Sequence, residues 1–373
     1  MRIGVLTAGG DCAGLNAVIA GAVKYGSSLG YEFVGFKKGF EGVLSPMDFI
    51  PLTPDSVKGI SHLGGSILGS TNKGRFGAKK GENESNRIPE DILLMAKQNL
   101  ASIGVDYLIV IGGDGSLTGA MQLAELGVKV VGVPKTIDND LGATDQTFGF
   151  STALSVAVEA MDRVHTTATS HERVIFVEVM GRNTGWIALK AGLAGGADAI
   201  LLPEFPFTLE ALVKFLRARK ARGKSSAIVV VAEGAKLGGK LVSDGIVAGG
   251  EVHYGGIAQT IMTAVDRAAP GEFESRATII GHMQRGGTPN ARDRNLARAY
   301  GVGAVDAIYQ GRSSVMVSLR DNHIIPVDLA EAVSKLKVVH KGTLEYQTSL
   351  KLGIFLHDDA EVIPGLMPGN DLE

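Results

Sequence analysis

A chain of 373 residues with 45% hydrophobic content is too long for one small core and carries enough apolar material for two lobes. Its formal net charge of −2 argues against nucleic acid or an anionic membrane as partner, while local basic clusters still suit phosphate groups. The single cysteine, Cys12, excludes an internal disulfide, and no apolar run reaches signal-peptide or membrane-spanning length, so a soluble cytoplasmic protein is expected.

From the N-terminus, residues 3–7 predict a buried strand ending in the turn Ala8-Gly9-Gly10-Asp11-Cys12-Ala13-Gly14-Leu15-Asn16, ahead of a helix of small residues. The turn lacks the G-x-G-x-x-G spacing of dinucleotide sites and the Gly-Lys-Ser/Thr of a P-loop, yet it is a candidate phosphate loop. Cys12 reads there as a small buried filler in preference to a nucleophile. Residues 31–36 predict a second strand, 64–76 a polar glycine-rich loop, 77–87 a charged surface excursion and 88–104 an amphipathic helix with Pro89 in its first turn. The apolar run 107–111 then ends in Gly112, Gly113, Asp114, Gly115 and Ser116, followed by a helix with Leu117, Ala120, Met121 and Ala124 on one face. A further strand at 128–133 closes in Pro134-Lys135-Thr136-Ile137-Asp138-Asn139-Asp140. Beyond it, 144–167 reads as a long helix, the stretch from Arg173 as a strand, 199–202 as a strand and 209–222 as a helix with a solvated cationic face. Strands at 228–231 and 273–280 and a helix at 292–309 follow, giving an α/β protein with mostly parallel sheets.

The stretch from 106 to 145 carries the chemistry. Its glycines are expected to permit positive φ and close backbone approach. The helix that follows directs free N–H groups and its positive dipole end at whatever occupies the loop, most suitably phosphate. Asp114 would repel phosphate unless a divalent cation lies between, so it reads as a holder of Mg²⁺, directly or through water. Parallel strands deliver their carboxyl ends to one edge, so the Asp114 and Asp138 loops should open onto one crevice. Phosphoryl transfer needs that arrangement: donor phosphates and metal in one loop, and across from it a carboxylate, Asp138, that accepts the proton of an attacking hydroxyl. Alone, GGDG is a common strand–helix connection and TIDND a common capped turn. The pair, at this spacing, is a sharper signal.

IGGDGS with PKTIDND resembles the phosphofructokinase family, and so do Ser170-His171-Glu172-Arg173, Met180-Gly181-Arg182, Glu233 at a strand tip, and Arg276-Ala277 with Gly281-His282-Met283-Gln284-Arg285-Gly286-Gly287. The resemblance implies two Rossmann-like lobes. Residues 1–149 with about 284–334 would take the phosphoryl donor, and 150–283 with about 335–373 the sugar phosphate. It implies ATP-dependent phosphorylation of fructose 6-phosphate at its C1 hydroxyl, a glycolytic reaction, with Mg²⁺. By the same resemblance Gly10, Gly112, Gly113, Asp114, Gly115 and Ser116 contact the donor, and Thr136, Ile137 and Asp138 meet the sugar. Arg173, Arg276, His282 and Arg285 bind the sugar's phosphate, with Met283 and Gln284 in the same segment. Met180, Gly181 and Glu233 touch the sugar itself, and Arg182 stabilises transition-state charge, for which a planar guanidinium fork is suited.

Several features test that resemblance. Where short bacterial ATP-using members place an arginine after the Gly-Ser-x that bridges donor and acceptor, this chain has Asn72, and Lys73 or Arg75 is expected to supply the charge. Gly115 leaves room for the nucleotide's α-phosphate and ribose, which favours ATP, whereas Lys135 resembles pyrophosphate-using members. The rivals are a pyrophosphate-dependent phosphofructokinase, kinases of NAD or lipids with a GGDG loop, and a non-enzymatic sugar-phosphate sensor. Loss of Asp114, Asp138 or Arg182 would suit the sensor, and all three are present. Ala20, Lys24 and His165 stand where regulated relatives carry effector-binding arginines, so regulation by ADP or phosphoenolpyruvate is not expected. The resemblance further implies a homodimer or homotetramer whose sugar-phosphate sites take Arg173 and Arg276 from the neighbouring subunit.

Overall fold

The computed structural model describes residues 1–71, 74–76, 87–237, 240–241, 243–246 and 252–358. The chain divides into two compact units, Met1–Thr152 with Arg285–Lys337 and Ala153–Gln284 with Val338–Glu373. It opens as β1 (Arg2–Thr7), α1 (Leu15–Ser28), β2 (Glu32–Phe36), β3 (Phe49–Leu52), α2 (Glu90–Ser102), β4 (Tyr107–Gly112), α3 (Asp114–Glu125), β5 (Val130–Thr136) and β6 (Phe148–Gly149). Helix α4 (Phe150–Ser170) carries it into the second unit. There follow β7 (Arg173–Val179), α5 (Trp186–Ala194), β8 (Ala199–Leu201), α6 (Leu209–Ala221) and β9 (Ala227–Ala232). Two short hairpins pair β10 (Lys236–Leu237) with β11 (Lys240–Leu241) and β12 (Ser243–Ile246) with β13 (Val252–Tyr254), before α7 (Ile257–Ala268) and β14 (Glu274–Ile279). The chain returns to the first unit for α8 (Ala291–Tyr309), β15 (Val315–Arg320), β16 (His323–Asp328) and α9 (Leu329–Ser334), and to the second for α10 (Leu344–Lys351).

Among the described residues, the first unit holds a sheet in the order β16-β15-β5-β4-β1-β2-β3, with β6 added beside β5. The pairs among β15, β5, β4, β1 and β2 are parallel, and only the two edges, β16 and β3, run antiparallel. Every residue of β4 is buried, as expected of a central parallel strand covered on both faces. The second unit holds β14-β7-β9-β8, all parallel, over a core that includes Phe176, Val229, Leu212 and Ile261. No helix among the described residues is long and apolar enough to cross a membrane.

Two boundaries differ from the sequence expectation. The long helix begins at Phe150 and not at Thr144, because the preceding residues have other partners. Thr144 is bound to the Tyr300 hydroxyl, Thr147 donates its N–H to Asn139 and its hydroxyl to the Thr136 carbonyl, and Gly149 has φ of 96°. The strand expected at 128–133 runs from Val130 through Thr136, so Lys135 lies inside it. Pro89 caps α2 from just outside its first turn.

Helices α1 and α8 meet almost backbone to backbone. A Cβ on Gly21 would lie 2.7 Å from the Arg298 carbonyl oxygen, and one on Gly301 would fall inside contact distance of the Val18 carbonyl. Intrinsic propensity favours alanine over glycine in a helix by about 1 kcal/mol. Forcing two packed helices apart costs about 1–3 kcal/mol. Gly301→Ala is therefore expected to lower the urea unfolding free energy, by up to about 2 kcal/mol net. A gain in stability in that measurement would show that the helices yield without cost.

Candidate functional site

In the first unit the carboxyl ends of β1, β4 and β5 lie side by side, and so do the turns that follow them. The Ala8 amide donates to the Ile111 carbonyl at 3.0 Å, which sets the first glycine turn against the end of β4. Helix α3 starts at Asp114 with Gly113 as its N-cap, so Asp114, Gly115 and Ser116 form its first turn. Their amides are thus among those without an intrahelical acceptor, and the helix's positive end is here.

The glycines act differently from the sequence expectation. Gly112, Gly113 and Gly115 do not adopt positive φ, whereas Gly9 (79°) and Gly14 (113°) of the first turn do. What the later loop requires is the missing Cβ: one on Gly113 would stand 3.2 Å from the Lys135 carbonyl, and one on Gly112 would collide with Ser116. Around Gly115 nothing lies within 4 Å, so the space above it is open.

Lys135 is 4% exposed, and its ammonium donates to the Gly10 carbonyl, tying β5 to the first turn. Burial lowers its pKa. This excludes the reading of a solvated lysine beside a turn. Arg285, expected at the sugar's phosphate, belongs to the first unit and donates to the Asp11 carbonyl at 3.2 Å, with its guanidinium 2.8 Å from where a Gly10 Cβ would be. Two cations therefore flank Gly10. Arg75 is committed elsewhere, to Glu41 at 3.1 Å and to the Ser45 carbonyl, so it does not supply the expected charge in this conformation; Lys73 lies outside the described residues. Cys12 is fully buried against Phe148, and burial pushes its thiol up to about 12, which keeps it protonated and no nucleophile.

The acidic turn is held from several sides. The Asp138 amide donates to the Thr136 hydroxyl at 3.1 Å. Ile137 is fully buried within the turn. Asn139 adopts φ of 53°, a conformation asparagine tolerates, and its side-chain oxygen accepts from Thr147 N–H and from the Lys337 ammonium at 3.1 Å. Asp140 is pushed up to about 7, first by burial, then by the charge of Asp138 and, more weakly, of Asp114. Three carboxylates thus act on one region, which suits a divalent cation. Among the described residues no group of three His, Cys, Asp or Glu side chains forms a metal site, so such a cation would complete its shell with phosphate oxygens and water, the usual habit of Mg²⁺.

In the second unit the turn after β7 carries Met180, Gly181 and Arg182, with Arg182 exposed. Met180 N–H donates to the Gln284 side chain at 2.8 Å and Gly181 N–H to Glu233 at 3.4 Å. Gly181 has φ of 136°, and a Cβ on Gly234 would collide with the Arg182 carbonyl, so the end of β9 packs backbone against this turn. Gln284 is 1% exposed, and its side-chain oxygen, by accepting from Met180, supports the turn. His282 and Met283 are exposed beside it. Arg173 and Arg276 both pair with Glu274, at 2.7 and 3.0 Å.

A family model described as Phosphofructokinase matches residues 2–308. The chain belongs to the phosphofructokinase family. Over 358 residues it is 47% identical to a Chloroflexus aggregans protein named ATP-dependent 6-phosphofructokinase, covering 96% of this chain and 98% of that one. It is also 48% identical over 343 residues to an Amycolatopsis mediterranei protein named pyrophosphate–fructose 6-phosphate 1-phosphotransferase, covering 91% and 96%. A crystal structure of Pichia pastoris phosphofructokinase in the T-state matches 89% of this chain with a TM-score of 0.78 and 31% identity; this chain spans 35% of that one's length.

Within this phosphofructokinase-family chain, sequence reasoning missed Lys337, Asp140 and Glu204. Lys337 is a single lysine near a boundary, and nothing in its neighbourhood signals that it reaches Asn139 and the Thr144 and Asp145 carbonyls. Asp140 was visible as the second carboxylate of the turn, but its shift depends on packing. Its folded value of about 7 lies above the 3.8 of a free carboxyl, so the folded state holds the proton more tightly. That contribution is fully present below 3.8 and is lost as the pH rises through about 7. In metal-free buffer, urea stability should therefore decline from about pH 4 to about pH 7, and Asp140→Asn should remove this part of the slope. An unchanged slope in that variant would assign the decline to other groups.

Proposed function

We propose that this protein is an ATP-dependent 6-phosphofructokinase, transferring the terminal phosphoryl group of ATP to the C1 hydroxyl of fructose 6-phosphate. The observation that supports it most is the meeting of the β1 and β4 turns with the acidic turn after β5. The α3 N-terminus, the Gly10 backbone, Lys135 and Arg285 receive the donor phosphates. Arg285, which the resemblance assigns to the sugar's own phosphate, is read on the donor side from its bond to the Asp11 carbonyl. Mg²⁺ held at Asp114 neutralises charge between phosphates and carboxylates when it is bound. Asp138 takes the proton of the C1 hydroxyl as its oxygen attacks phosphorus, and Arg182 offsets the charge spread over the transferred group. Met180, Gly181, Glu233 and the exposed His282 and Met283 contact the sugar, and a carboxylate such as Glu233 accepts from two hydroxyls.

The second reading, pyrophosphate as donor, is favoured by Lys135 and by relatives bearing that name. Lys135 does not discriminate, because an ammonium has three donors and the Gly10 carbonyl uses one. Gly115 does: the open space above it accommodates a nucleotide, and an aspartate there would project a second carboxylate beside Asp114. Purified protein with fructose 6-phosphate should turn over faster with ATP than with pyrophosphate, each at saturation, and Gly115→Asp should depress kcat/KM for ATP about 10-fold or more. Faster turnover with pyrophosphate would reverse the choice of donor.

Arg173 and Arg276 are read as ligands of the sugar's phosphate contributed by a second copy of the chain. Arg173 opens β7 and Met180 follows its last residue, so at about 3.3 Å per residue the two stand about 23 Å apart along one strand. One copy cannot easily bring both to one small sugar. Edge strand β14 leaves Arg276, Thr278 and Ile279 exposed, the last at 52%. Arg276→Ala and Asp138→Asn homo-oligomers should each be nearly inactive, and mixed assemblies should regain activity because one class of hybrid site has both residues intact. Absence of complementation in verified hybrids would count against shared sites.

A further inference from the structure

The turn from Met180 to Gly185 is fastened at three points by side chains from three different elements: Gln284 at Met180, Glu233 at Gly181 and Glu204 at Gly185. The first two lie in segments already tied to sugar binding. Glu204 does not; it follows β8, in the segment Leu202-Pro203-Glu204. We propose that Glu204 is a positioning residue for Arg182, holding the turn that presents the guanidinium by clamping its far end to the chain segment that re-enters the second unit. This inference rests on the reading of Arg182 as the residue that meets the transferred phosphoryl group.

The geometry of the clamp is specific. The Gly185 amide donates to both carboxylate oxygens of Glu204, at 2.9 and 3.1 Å, and the Val339 amide donates to the first of them at 3.0 Å. Gly185 is the N-cap of α5, makes no side-chain cap of its own, and the first turn of α5 contains no acidic residue. Glu204 therefore supplies from another element the carboxylate that a helix N-terminus favours. Gly185 is small for the same reason, since a Cβ there would stand 2.9 Å from a Glu204 oxygen and 2.5 Å from Leu202. Val339 is the second residue of the segment that returns to the second unit at Val338. One carboxylate thus joins three segments that are distant in sequence, and the apex between its anchor and those of Gln284 and Glu233 is Arg182.

Its environment shows that the carboxylate is kept at a cost. Burial raises the pKa of Glu204, and the Gly185 and Val339 amides oppose that shift. A half-buried carboxylate spent on backbone amides is what fixing a backbone requires, because two N–H groups on separate segments converge on one side chain.

The test combines kinetics with hydrogen exchange on the full chain. Glu204→Ala is expected to lower kcat about 10-fold or more with the KM for fructose 6-phosphate changed less than about 3-fold, since Arg182 acts on the transition state. Glu204→Gln keeps an oxygen where both amides can reach it and should recover most of kcat. In an Arg182→Ala background, Glu204→Ala should cost less than about 2-fold more, because the group it positions is gone. Amides of residues 180–187 should exchange faster in Glu204→Ala than in wild type or Glu204→Gln. Equal losses of kcat in the two backgrounds, or unchanged exchange across that turn, would overturn the proposal. If Glu204→Ala does not fold, Glu204→Asp, one methylene too short to reach both segments, takes its place with the same expected outcomes. The exchange comparison does not depend on activity, so a wild-type protein inert toward fructose 6-phosphate would refute the functional reading and leave the clamp to be judged separately.

Discussion

The parallel pairing of β4 with β1 on one side and β5 on the other is the constraint on which the first unit's chemistry depends. Parallel strands end at the same edge, so three turns that are far apart in sequence, after Thr7, Gly112 and Thr136, are forced together by backbone hydrogen bonds alone. The first two turns approach closely because glycines leave room where a Cβ would collide. Lys135 then stitches the outermost turn to the first, and Asn139, in the left-handed region, reverses the chain so that Asp138 and Asp140 both remain at this edge.

Charge is balanced across that edge and not within residue pairs. Lys135 and Arg285 lie against Gly10, while Asp138 and Asp114 act on Asp140 in the neighbouring acidic turn. Burial first, and then repulsion from Asp138 and Asp114, raises the Asp140 carboxyl to about 7. A polyphosphate with its cation offers each side the charge it lacks. The site is therefore complementary to an ionic cluster and poorly suited to a neutral ligand.

The second unit obeys the same geometry with a different result. Its sheet places Met180, Glu233 and His282 at the carboxyl edge and Arg173 at the amino edge, with Arg276 between them on the uncovered edge strand. The sharing of Glu274 between Arg173 and Arg276 holds two guanidiniums together in the absence of an anion, and an incoming dianion would compete with one carboxylate for both. The turn bearing Arg182 is fixed by contrast through the backbone amides of Met180, Gly181 and Gly185.

The sequence by itself determined the main strands and helices between 3 and 309, the mostly parallel sheets and the residue types at the strand ends, because apolar periodicity and glycine or aspartate punctuation are local signals; β3, β15, β16, the two hairpins, α5, α7, α9 and α10 were not legible in it. It carried the acidic pair Asp114 and Asp138, and the motifs around Arg182, Arg276 and His282, since each lies in a short contiguous segment. Only the tertiary structure decided where α4 starts, because Thr144 and Thr147 bond to residues elsewhere in the chain. It also set Arg285 against the Gly10 turn, paired Arg75 with Glu41, and turned Gln284 and Ile137 inward. Which groups a side chain meets, and what burial does to Asp140, Lys135 and Glu204, depends on segments tens to hundreds of residues away, and no local pattern encodes that proximity.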